Sequence, residues 1–152
     1  MRSAVIAASI VALGCCPIPL CAASIDSIPP DEQSITALET RAQQAQPREQ
    51  CFLYAELVHQ MTELSIRQYA NGETGKALGL LKEIQQFAQK IHFSLGSDDK
   101  RVKNTDILLD HTAFRLKEML HASSFEDRPV VEQTLAQISK VENDTMMQVF
   151  QK

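Results

Sequence analysis

The sequence predicts an all-α chain, folded as an up-down-up-down four-helix bundle with a short extra N-terminal helix, and three observations carry that prediction. No stretch after residue 30 alternates apolar and polar residues by twos, whereas several place apolar residues at intervals of three and four. These stretches lie between helix start and stop signals, among them Pro47, Asn71-Gly72, Gly96 and Pro129. Four of them are about 20 residues long, roughly 30 Å of helix, and loops of about 3 to 6 residues between them should fold each helix back on the one before.

Each element has its own justification. A short helix begins at Asp31, carries Ile35, Leu38, Ala42 and Ala45 on one stripe, and is ended by Pro47. A second helix starts just after that proline and runs to Ala70, where Asn71-Gly72 supplies a left-handed stop. Its apolar sector contains Cys51, Leu53, Tyr54, Leu57, Val58, Met61 and Leu64, with Glu56, Gln60, Glu63 and Arg67 opposite, facing solvent. The third helix, capped by Thr74 and reaching about Ser94, gathers Leu80, Leu81, Ile84, Phe87, Ala88, Ile91 and Leu95. Ser97 or Asp98 caps the fourth helix, which extends to about Ala122 along a seam of Leu108, Leu109, Ala113, Leu116, Met119 and Leu120. Pro129 fits the first turn of a fifth helix ending near Gln151, whose seam reads Val131, Leu135, Ile138, Thr145 and Val149.

Composition narrows the function classes. The chain has 152 residues, 44% apolar and 22% charged, and its 15 basic and 19 acidic groups leave a formal charge of −4. That is the balance of one ordinary globular domain, without the basic footprint of a nucleic-acid-binding protein. Glycine and proline together are few and no low-complexity tract stands out, which sets aside collagen-like and disordered chains.

The N-terminus has the layout of a secretory signal peptide. Arg2 precedes an uncharged run to Ala23 that contains the compact apolar stretch Ala4 to Leu13; Gly14, Pro17 and Pro19 then break the helix, and Cys21-Ala22-Ala23 offers small residues for cleavage before Ser24. The expected organisation is a signal peptide over residues 1–23, an extended leader over 24–30 and one helical domain over 31–152. An uncleaved anchor is one alternative. The other is lipidation at Cys15, because Ala12-Leu13-Gly14-Cys15 resembles a bacterial lipoprotein signal with its leucine one place late. Only these alternatives bring in a membrane.

Cleavage removes Cys15, Cys16 and Cys21 and shortens the 152 residues to 129, with a formal charge of −5 once Arg2 is gone. Cys51 is then the sole cysteine, buried beside Phe52, Leu53 and Tyr54 or available to bridge a homodimer.

Several motifs could carry chemistry. Glu-x-x-His occurs twice, as Glu56 to His59 and Glu118 to His121, on two helices of an expected four-helix bundle, which is the pattern of di-iron carboxylate bundles. Helical-wheel geometry turns Glu56, Glu118 and also Glu83 away from their apolar stripes, so the five metal-ligand candidates, Glu56, His59, Glu118, His121 and Glu142, do not form an expected site. Noncovalent haem ligation by Met61, Met119, Met146 or Met147 with a histidine competes with ordinary core packing of these methionines, and no cofactor is expected. Glu142 occupies a seam position between Ile138 and Thr145, where a carboxylate has to be paired, protonated or at an interface; a pocket facing His59 or Tyr54 is its functional reading. Ile107 and Phe114, one heptad apart on the outer face of the fourth helix, need a cover, either the first helix or a partner. Cys51 lacks the setting of a catalytic thiol, and Asn143-Asp144-Thr145, a glycosylation pattern, lies mid-helix.

Leu64, Ser65, Gly72, Ala77 and Leu81 resemble the tetratricopeptide hairpin over about 20 residues. The motif's tyrosine and final proline are missing and no second copy follows at its period, so a helical-repeat layout is the alternative to the bundle. The functional expectation is a small exported, non-catalytic helical bundle, periplasmic or secreted, that binds a protein partner in the cell envelope. The alternative is a metal- or haem-carrying bundle.

Overall fold

The computed structural model describes residues 29–95 and 101–150, and the expected signal peptide, the first part of the leader and the Ser97 or Asp98 cap lie outside them. The described residues form five α-helices and no strand: α1 (Glu32–Gln44), α2 (Pro47–Ala70), α3 (Thr74–Ser94), α4 (Val102–Ala122) and α5 (Arg128–Phe150). None is long and apolar enough to cross a membrane.

Local chemistry accounts for the helix ends. Asp31 caps α1 in a reciprocal box, its carboxylate accepting from the Ser34 amide at 2.7 Å while the Ser34 hydroxyl faces the Asp31 amide at 3.0 Å. Pro47 opens α2, where its missing N–H costs nothing. The α2 end is a Schellman turn: the Gly72 amide donates to Tyr69 O at 3.0 Å and the Glu73 amide to Gln68 O at 2.9 Å, with Gly72 at φ 82°, a conformation that penalises any Cβ. Glu73 rather than Thr74 occupies the cap position of α3, and its side chain makes no capping bond.

The helices form a bundle of two antiparallel hairpins, α2–α3 and α4–α5. The hairpins are packed so that α2 lies beside α4 and α3 beside α5, while α1 packs on α2 alone. Cross-hairpin contacts ascend together along both chains: Phe52 meets Arg101, His59 meets Thr112, Glu63 meets Arg115 and Tyr69 meets Ser124. On the other side Leu81 meets Thr134 and His92 meets Asp144. So α2 runs parallel to α4 and α3 parallel to α5. Helix directions alternate along the chain as expected, but α3 and α4 sit on a diagonal and are not neighbours. The expectation that short connections forbid such a crossing fails on distance. With axes 8–10 Å apart the diagonal is roughly 14 Å, and the eight Cα steps from Ser94 to Val102 span up to roughly 26 Å.

Leu57, Met61, Leu81, Ile84, Ile91, Leu109, Leu116, Ile138 and Val131 fill the centre. Threonine is unusually prominent among them: Thr62, Thr105, Thr112, Thr134 and Thr145 are completely buried. Four of these hydroxyls, at 62, 112, 134 and 145, donate to the carbonyl four residues back at 2.7 to 2.9 Å; Thr112 and Thr134 also accept across the bundle, from His59 Nδ1 at 3.1 Å and Gln85 Nε2 at 2.8 Å. The α5 seam accordingly runs Val131, Thr134, Ile138, Val141 and Thr145, one position away from the expected Leu135 and Glu142.

Candidate functional site

Three elements meet around the outer strip of α2. Ile35, Leu38 and Ala42 of α1 are buried against α2 and do not reach α4, which corrects the expectation that α1 covers Ile107 and Phe114. Those two side chains remain 52% and 58% exposed. Between the start of α1, the floor of α2 and the wall of α4 lies a groove of about 810 Å³ lined by Pro29, Pro30, Phe52, Glu56, His59, Glu63, Ile107, Leu108 and His111, among others. It continues past His59 into a second cavity of about 450 Å³ bounded by Ile66, Arg67, Ala70 and Arg115. The Pro29-Pro30 wall is held by the Arg67 guanidinium, which donates to Pro30 O.

The expectation that Glu56, Gln60, Glu63 and Arg67 face open solvent is therefore overturned: all four are half-buried. A wheel with one buried face cannot describe α2, because α1, α3 and α4 all pack on it.

His59 is fixed at the centre of the floor. Its Nδ1 lies 3.1 Å from Thr112 Oγ1, and the Thr112 hydroxyl spends its single proton on Leu108 O at 2.7 Å. The imidazole must then donate through Nδ1–H, which leaves the Nε2 lone pair unprotonated. Burial pushes the His59 pKa below its ordinary value, an effect reinforced by His111 and Arg115 and opposed by Glu63, so the ring is neutral at pH 7.

Beside it, Arg115 grips Glu63 through two bonds, Nε to Oε1 at 2.6 Å and Nη2 to Oε2 at 3.0 Å, and also donates to Glu118. The Arg115 pKa is raised by this pairing, chiefly by the hydrogen bonds to Glu63. The fork tethers α2 to α4 and sets the groove width at this point.

The metal-ligand candidates are dispersed over the surface of the bundle. Glu56 and His59 line the groove, Glu118 is exposed and engaged by Arg115, and His121 is exposed one turn further along α4. Glu142 does not face His59 or Tyr54. Its carboxylate sits near Asp110 and Asp106 of α4, and its pKa is raised by burial first and by those two charges next, with Lys117 opposing. Asp106 is raised likewise, by burial and by Asp110. Among the described residues no three His, Cys, Asp or Glu side chains converge as a metal site.

Met61 and Met119 are buried in the core, Met146 and Met147 are exposed on α5, and none of the principal cavities is lined by a methionine. Cys51 is 0% exposed, so its thiol reaches neither solvent nor a second chain while α2 is packed.

Sequence reasoning placed His111 near the Ile107 face of the fourth helix but missed Arg115 and the Pro29-Pro30 wall as groove residues, and Thr112 as the partner that orients His59. The heptad spacing of Ile107 and Phe114 was the one signal that pointed to this face. The chain matches no protein-family model, no curated protein and no solved structure.

Proposed function

We propose that this protein is an exported, non-catalytic binding module of the cell envelope that holds a protein partner in the groove between α1, α2 and α4. The observation that carries the reading is the groove, whose α4 wall carries Ile107, exposed among the described residues, with the equally exposed Phe114 one heptad further along α4. Export rests on Arg2, the apolar run and the small residues before Ser24. Burial of Cys51 leaves the one cysteine of the cleaved chain unable to act as a surface nucleophile, which favours binding over thiol chemistry.

The test is photo-crosslinking in the native cell, with a photoreactive residue placed at position 107, at 114 or, as a control, at the exposed Glu132 of α5. Positions 107 and 114 should capture the same partner and Glu132 should not; equal capture from all three positions overturns the groove as the binding face. The intact mass of the recovered protein should correspond to a chain starting at Ser24. A mass that retains residues 1–23, or that carries lipid on Cys15, overturns the soluble exported reading.

A further inference from the structure

The occupant of this groove can be specified from its length, its wall and its charge. α1 and α4 both pack on α2 but not on each other, so the strip of α2 between them lacks a helical neighbour among the described residues. That strip runs from Phe52 to Ala70 across the two joined cavities, roughly 27 Å at the helical rise of 1.5 Å per residue. The length matches about five turns of a partner helix. Along the α4 wall, Asn104, Ile107, Leu108, His111 and Arg115 recur at intervals of three and four, the spacing at which one helix presents side chains to another lying nearly parallel to it.

Charge completes the description. Among the described residues, the wider part of the groove is lined by Asp31, Glu56 and Glu63 and by no lysine or arginine; Arg101 stands at its Phe52 end, over that ring at 4.8 Å. Arg115 neutralises Glu63 and Asp31 is engaged as the α1 cap, which leaves the Glu56 carboxylate on the floor with no cation among the described lining residues. His59 adds no positive charge because its ring is neutral at pH 7. A partner that buried Glu56 without a cation of its own would pay the desolvation cost of an unpaired charge, and an acidic partner would add repulsion.

We infer that the groove takes a basic amphipathic helix of about five turns, its apolar stripe seated against Ile107 and Leu108 and a lysine or arginine placed over Glu56. This rests on the groove being the binding face, which the crosslinking experiment tests independently.

The experiment measures binding of three synthetic 18-residue peptides to the chain from Ser24 onward by calorimetry. One is a leucine–lysine amphipathic helix; the second has every lysine replaced by glutamate; the third has the basic composition with two internal prolines. The basic helix should bind, and the acidic and proline-broken peptides should bind weaker by about tenfold or more. Ile107→Ser, at an exposed position and so tolerated by the fold, should weaken the basic helix by about tenfold. Glu56→Lys should do the same, whereas Glu132→Lys, an equal change in net charge on the far helix, should leave affinity within about twofold.

Equal binding of the acidic or proline-broken peptide overturns the inference. So does an effect of Glu132→Lys as large as that of Glu56→Lys, which would mean general attraction to an acidic protein. Failure of all three peptides overturns it too, while partner capture from positions 107 and 114 would leave the groove reading standing. Thermal melts of each variant separate lost binding from lost folding.

Discussion

Replacing Arg115 by methionine keeps most of its aliphatic volume and removes the fork that ties α4 to α2. The Arg115 and Glu63 side chains retain 35% and 29% of their exposure, which places the pair between two regimes. Exposed ion pairs contribute about 0.2 to 1 kcal/mol, and stripping one member from a buried pair costs about 3 to 5 kcal/mol. With two well-aligned bonds at 2.6 and 3.0 Å but solvent at one side, the expected loss is about 1.5 kcal/mol. For a domain of this size that lowers the melting midpoint by about 6 °C.

Glu63→Gln should cost about 1 kcal/mol, since the amide oxygen still accepts one bond, and the double variant should reveal a coupling of about 1 kcal/mol. Glu118→Gln should cost only a few tenths of a kcal/mol, because that carboxylate is 48% exposed and one turn away on the same helix. Urea denaturation of the four variants at low salt and in 1 M NaCl measures all of this. A coupling below about 0.3 kcal/mol, or a Glu118→Gln cost equal to that of Glu63→Gln, would refute the claim that this fork fastens the two hairpins.

Glu142→Gln should stabilise the fold slightly, by a few tenths of a kcal/mol, and the gain should disappear in acid. The folded-state pKa of Glu142 is raised, so its carboxylate is least tolerated above that pKa, and protonation removes the penalty as the pH falls through it; destabilisation at pH 7 by more than about 0.5 kcal/mol would refute this account. His59 titrates in the opposite sense. Its folded pKa is depressed, so its contribution is complete above the unfolded value of 6.5 and is lost progressively as the pH drops below it. Denaturation midpoints between pH 7.5 and 5 should therefore fall less steeply in His59→Gln than in the parent, and identical slopes would contradict the buried neutral ring. Cys51 should react with a thiol reagent only as fast as α2 opens, so rapid native-state labelling would show that the thiol is reachable.

Helix existence and helix ends were legible because periodicity, Pro47, the Asn71-Gly72 stop and Pro129 all act locally. What lay beyond reach was how many neighbours each helix has. Glu56, Gln60 and Glu63 look like a solvated face when α2 is given one buried side; only the positions of α1 and α4 show that this face is the floor of a groove. The buried threonines misled in another way. The expected α5 seam admitted Thr145 but took Leu135 over Thr134, and Glu142 was drawn into the core when Val141 is the buried residue. The Thr134 hydroxyl donates within its own helix and accepts from Gln85 of α3, so it is buried fully satisfied, and residue type alone does not reveal that. Ile107 and Phe114 were readable as a pair needing cover, but whether α1 supplied it depended on where α1 docks.

The diagonal step from α3 to α4 bears on the order in which the molecule assembles. Within the first hairpin, Ser65 meets Ala77 at a separation of 12 residues, whereas polar contacts that join the two hairpins link residues 49 to 58 positions apart. Short-range closure costs less chain entropy and comes sooner. Each hairpin can thus close on its own account, and the late event is their docking. At that moment the His59–Thr112 and Gln85–Thr134 bonds and the Arg115 fork come into register together, so substitutions at Thr112 or Arg115 should act mainly on the unfolding rate and substitutions around Gly72 on the folding rate.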